Sequence, residues 1–135
     1  MIGIDTNILV RLLTDDDPAQ AEAVRRLLTP LDTVAESVVN NDIVLVETLW
    51  TLHRLYGFDR QTQLDVLNQL LSALTFRFEN RDLVTQAVRL FAHSSADFSD
   101  CLIATKNTGM GCEYTATFDQ AMGKLKGVEL LKQRS

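Results

Sequence analysis

Two aspartates, Asp5 and Asp119, each follow a short apolar or β-branched run, Ile2–Ile4 and Tyr114–Thr117 respectively. Both are expected at the carboxyl end of a strand, the edge of an open parallel sheet at which ligands bind. An aspartate there also caps the helix that follows, so either residue alone has a purely structural explanation; the pair carries more weight. Glu47 is a third acid in an unusual setting. Its helical neighbours at i−4, i−3 and i+3 are Ile43, Val44 and Trp50, which puts it within an apolar stripe. A buried glutamate is costly unless it is paired or coordinates a metal. The structural alternatives are a side chain reaching out at the stripe's edge or a pairing with a buried arginine.

Asp97 and Asp100 stand at i and i+3, on one face of a helix, where like charges repel. Asp97 is explained by its place in a first helical turn, where negative charge suits the helix dipole. Asp100 is not so easily explained, because Cys101-Leu102-Ile103-Ala104 follows directly and marks a buried helix. An acidic cluster beside apolar surface calls for a cation to neutralise it. The run Asp15-Asp16-Asp17 has the opposite reading: it precedes a helix, contains its cap and is a solvated turn. His53 and His93 have no second histidine at ligand spacing, which excludes the usual zinc patterns, and no Walker loop, GxSxG elbow or GxGxxG fingerprint occurs. Carboxylates without imidazole or thiolate select hard cations, Mg²⁺ or Mn²⁺.

The elements that must position these acids follow from pattern and punctuation. A strand is expected to end at Asp5. Asp17-Pro18-Ala19-Gln20 starts a helix, with Asp as N-cap, Pro at N1 and Gln at N3; Ala23, Val24, Leu27 and Leu28 are its expected buried face. A β-branched stretch from Thr33 to Val39 holds a second strand. Helices are expected from about Asp42 to Tyr56, with Gly57 as C-cap, from Asp59 through Leu64, Leu67, Leu70, Leu71 and Leu74, from Asn80 through Val84, Ala87, Val88 and Phe91, and from Asp97 to Thr108. Phe76–Phe78, Glu113–Thr117 and Val128–Leu131 read as strands. Strands separated by helices imply a three-layer α/β/α domain, Rossmann-like, with a central parallel sheet of about four to five strands. The 135 residues suit one domain spanning 1–135.

Hydrophobic residues make up 46% of the chain and charged residues 23%, the composition of an ordinary globular protein. No apolar run approaches a membrane span, and Asp5 interrupts the opening stretch, which argues against a secretory signal. Cys101 and Cys112 lack metal-knuckle spacing and read as reduced thiols, so a cytoplasmic location is expected. The net charge of −5 weighs against nucleic-acid binding. That objection weakens if the carboxylates gather around divalent cations, which invert the local field.

Taken in order, these segments resemble a known family. Ile4-Asp5-Thr6-Asn7-Ile8-Leu9 is similar to the opening motif of PIN-domain ribonucleases, and Val44-Leu45-Val46-Glu47-Thr48-Leu49-Trp50 to their glutamate helix. Asp97-Phe98-Ser99-Asp100-Cys101-Leu102-Ile103-Ala104 resembles the third motif and Thr117-Phe118-Asp119 the fourth. Each motif is weak alone. Four in order, over essentially the whole chain and at the length of the VapC toxins of bacterial VapBC toxin–antitoxin pairs, are specific.

The resemblance implies that Asp5, Glu47, Asp100 and Asp119 form an acidic quartet with Asp97 as an auxiliary acid, while Thr6, Asn7 and Thr117 orient carboxylates, water or substrate phosphate. It implies hydrolysis of RNA phosphodiester bonds assisted by one or two Mg²⁺ or Mn²⁺ ions, held mainly by Asp5 and Asp100. Glu47 or Asp119 would complete the ligand set or help deprotonate the attacking water. It further implies a homodimer and a VapB-type antitoxin that inserts an arginine among the carboxylates. Arg11, Lys106, Lys124 and Lys126 are candidate RNA contacts, although a solvated base is the better explanation for each.

Other readings fit less well. A haloacid-dehalogenase-like phosphatase wants a second aspartate at position 7, which is Asn7, and a response-regulator receiver wants an aspartate after the third strand, where Phe78-Glu79 stands. A housekeeping PIN nuclease shares the same acids. A non-catalytic RNA- or partner-binding module gains nothing from clustered acids facing phosphate.

Overall fold

The computed structural model describes residues 1–133. The chain forms two compact units, residues 1–81 and the part from Asp82 onward. The first contains β1 (Ile2–Gly3), α1 (Thr6–Leu13), α2 (Pro18–Leu28), β2 (Val38–Asn40), α3 (Asp42–Tyr56), α4 (Arg60–Ser72) and β3 (Phe76–Phe78). Its sheet is parallel in the order β1-β2-β3, with Ile2 opposite Val38 and Val38 opposite Phe76. Leu9, Val38, Leu45, Leu52 and Leu67 are fully buried at its centre.

Local sequence explains most helix starts in this unit. Asp17, Asn41 and Asp59 each accept a hydrogen bond from the amide three residues on, at Gln20 (3.0 Å), Val44 (2.9 Å) and Thr62 (2.8 Å), the N-cap bond that satisfies an otherwise orphaned donor. Helix α3 ends at Gly57, whose φ of 69° is the left-handed conformation that glycine adopts without penalty. The expected helices and strands therefore appear, with shorter strands. The first strand stops at Gly3 and α1 follows at once, an element the apolar run to Asp5 does not announce. In α2 the buried positions are Ala21, Val24 and Leu28, whereas Ala23 and Leu27 lie at the surface. Leu74 falls beyond the end of α4 and is exposed.

The second unit contains α5 (Arg81–Ala92, entering from the first unit's last residue), α6 (Phe98–Gly109), β4 (Thr115–Thr117) and β5 (Val128–Leu130). Its two strands are parallel, Thr115 opposite Val128, with a 3₁₀ turn at Met122–Lys124 on the connection between them. Val84, Ala87, Val88 and Phe91 of α5 and Cys101, Leu102 and Ala104 of α6 are buried, as the periodicity requires. Phe91 and Phe98 meet edge to face at 6.2 Å. Among the described residues all strand pairings are parallel, and helices separate successive strands nearly throughout: an α/β protein.

Candidate functional site

In the first unit the strand-end acid has a structural task. Asp5 is the N-cap of α1, and its Oδ1 accepts from the Ile8 amide at 3.1 Å. The next residue, Thr6, donates from Oγ1 to Glu47 Oε1 at 3.3 Å. This bond ties the start of α1 to the middle of α3, and the two helices pack against each other. One step further, Asn7 shares with Asp5, Ile8, Arg11, Gln20 and Leu27 the wall of an open cavity of about 380 Å³.

Glu47 is not buried. It lies on the exposed face of α3, and so do Ile43 (69% exposed) and Trp50 (58% exposed); the core face is Val44, Leu45, Thr48, Leu49 and Leu52. Sequence alone could not tell that two of the three apolar neighbours point to solvent. The structural alternative of a glutamate reaching outward is thus correct for its burial, while its link to Thr6 keeps it beside Asp5 in the fold.

In the second unit Asp97 occupies the N-cap position of α6 but makes no side-chain capping bond. Asp100, in the first turn, is half-buried. Its carboxyl is held above the ordinary aspartate range, first by burial, then by the charges of Asp97 and Asp119. The three acids therefore share one electrostatic neighbourhood. Asp119 accepts on Oδ1 from the Met122 amide at 2.8 Å, and its own amide donates to Thr117 Oγ1 at 3.0 Å. Thr117 thus orients the backbone that carries Asp119. Both strand-end acids cap a turn with one oxygen, and neither Oδ2 has a hydrogen-bond partner among the described residues.

Among the described residues, no basic side chain forms an ion pair with Asp5, Glu47, Asp97, Asp100 or Asp119. No three His, Cys, Asp or Glu side chains are drawn tightly enough together to form a ready-made metal cage. The donor types fit a hard divalent cation, being carboxylate and hydroxyl oxygens, and among the described residues no basic side chain pairs with Asp100, whose carboxyl is raised first by burial and then by Asp97 and Asp119.

Arg11 is not a free base. Its Nη1 donates to Asp16 Oδ1 at 3.1 Å and to Tyr56 Oη at 3.0 Å, and its Nε donates to Gln20 Oε1 at 2.6 Å. Asp16 also accepts from Tyr56 Oη at 2.6 Å. The acidic run is thus part of a clasp joining α1, α2 and the end of α3, not merely a solvated turn. Lys124 and Lys126 are exposed in the second unit. Sequence reasoning also passed over Asn40 and Thr48, fully buried in the first unit, whose side-chain polar atoms have no hydrogen-bond partner among the described residues. Only burial, which a polar letter in a sequence does not reveal, singles them out.

A parallel α/β fold with acids at strand ends and on helix faces defines the class, and comparison with known proteins makes it specific. The PIN domain family matches residues 2–128, so this chain belongs to the PIN domain family. It is similar to a VapC ribonuclease of Aquifex aeolicus (strain VF5), 23% identical over 122 residues that cover 90% of each chain.

Proposed function

We propose that the protein is a divalent-metal-dependent endoribonuclease and the toxin of a toxin–antitoxin pair, its whole length working as a single PIN domain. One observation carries this reading: PIN family membership across residues 2–128 of a chain that keeps an acid at all four motif positions, Asp5, Glu47, Asp100 and Asp119. The relative named as a VapC ribonuclease supports the toxin and its RNA substrate. No described helix is long and apolar enough to cross a membrane. Cytoplasmic action, a homodimer and a VapB-type antitoxin are part of the same proposal.

Asp5, Asp100, Glu47 and Asp119 would hold the Mg²⁺ or Mn²⁺, with Asp97 adding negative charge beside Asp100. When bound, the cation supplies Lewis acidity, lowering the pKa of water and offsetting charge on the phosphate oxygens. The chain's own residues do the rest. Thr6 steadies Glu47 through its hydroxyl, and Glu47 or Asp119 would complete the ligand set or help deprotonate the attacking water. Asn7, exposed beside Asp5, presents an amide to the substrate phosphate, and Thr117 holds the turn that aims Asp119.

Expression of the chain in bacterial cells tests the toxin reading. The parent should arrest growth, and Asp5→Asn should relieve the arrest, since asparagine caps a helix as well as aspartate does and preserves α1 while removing the charge. Full toxicity of Asp5→Asn, in cells that make it as a folded protein, would remove Asp5 from the site.

A further inference from the structure

Ile43, Glu47, Trp50 and Arg54 follow one another along α3 at intervals of four, three and four residues, which aligns them on one face. That face is turned away from the core, and the indole of Trp50 is 58% exposed. The Arg54 guanidinium lies 5.3 Å from the Trp50 ring centroid, within cation–π range. Exposed aromatic rings and arginine planes are what proteins offer to unpaired nucleobases, because every base has a face to stack and every nucleotide a phosphate to neutralise. In a chain of net charge −5, the arginine laid on the single tryptophan, two helical turns from Glu47, balances the negative charge of this face.

A second copy of the chain is the competing occupant of this face. The centre of a protein–protein seam is depleted of charge, yet here Glu47 stands between Ile43 and Trp50 with a single hydrogen bond among the described residues, from Thr6. Covering it with apolar surface would leave a desolvated carboxylate without a counter-charge. A base stacked on Trp50 leaves Glu47 open to water and cation.

We propose that Trp50, backed by Arg54, is a substrate-binding platform on which an unpaired base of the RNA stacks beside the proposed site. The proposal rests on the ribonuclease reading above. Because the chain has one tryptophan, its intrinsic fluorescence reports on this position alone. The test titrates the full chain in Mg²⁺ with a mixed-sequence single-stranded RNA of roughly ten nucleotides, reading emission within seconds of mixing. Saturable quenching is expected. By anisotropy of labelled RNA, Trp50→Ala should bind roughly five- to a hundredfold more weakly, Trp50→Phe should recover most of the affinity, and both should melt with the parent. Emission indifferent to RNA, or Trp50→Ala binding as tightly as the parent, overturns the platform. Emission and sedimentation that shift with protein concentration alone overturn it in favour of a second copy. Cleavage is assayed separately: cleavage without quenching removes the platform and leaves the nuclease, and quenching without cleavage supports the platform while removing the nuclease.

Discussion

At Asp100 the surroundings oppose the charge that the residue would need to hold a cation. Burial, then Asp97, then Asp119 hold its carboxyl above the ordinary range, so the folded state binds this proton more tightly than the unfolded chain does. The stability this provides is complete below about pH 4, the unfolded value, and is lost as pH rises through the raised folded value. At neutral pH the ionised side chain is therefore a cost to the metal-free fold. In EDTA at pH 7, Asp100→Asn should raise the urea midpoint, and the gain should vanish at acidic pH; a lower midpoint at pH 7 would show that the carboxylate is compensated. The sequence made Asp100 conspicuous because a second acid at i−3 and an apolar run directly after it are both local signals. Glu47 was conspicuous on a mistaken premise, since Ile43 and Trp50 share its exposure. The engagement of Arg11 was not legible because Tyr56 lies 45 residues away on α3 and Asp16 is brought to it by the turn after α1.

Among the elements, α1 is the instructive omission. The run Ile2–Ile4 and the acid after it read as strand and strand end, yet the strand is two residues long and Asp5 opens a helix. Ile8, Leu9, Leu12 and Leu13 have helical spacing behind an aspartate cap, a signal available in the sequence but shorter than the window in which periodicity is persuasive. The clasp that fixes the far end of this helix is non-local: Tyr56, the last residue of α3, donates to Asp16 and accepts from Arg11. That bond, first among the causes, lowers the Asp16 carboxyl below its usual range, so its contribution is present above the ordinary aspartate pKa and is lost as pH falls through the lowered one. Tyr56→Phe should lower the midpoint of denaturant unfolding at pH 7, and by less in acid. An unchanged midpoint at neutral pH would mean that water replaces the phenol without loss.

For the whole molecule, composition and the alternation of strands and helices sufficed for the α/β class, and the family match over residues 2–128 bears that out. Strand extents were overestimated because β-branched residues such as Thr33 and Val34 also occupy turns; the chain there reverses through Glu36 at a φ of 53° instead of extending. The net charge of −5 is the feature most at odds with an RNA-cleaving protein, and only a bound cation reconciles the two. Metal dependence is therefore the most exposed claim. The direct measurement is cleavage of a structured RNA by the purified chain, first in Mg²⁺ or Mn²⁺ and then in excess EDTA. Cleavage should stop in EDTA and return when the metal is restored. Cleavage that continues undiminished in EDTA would contradict metal dependence.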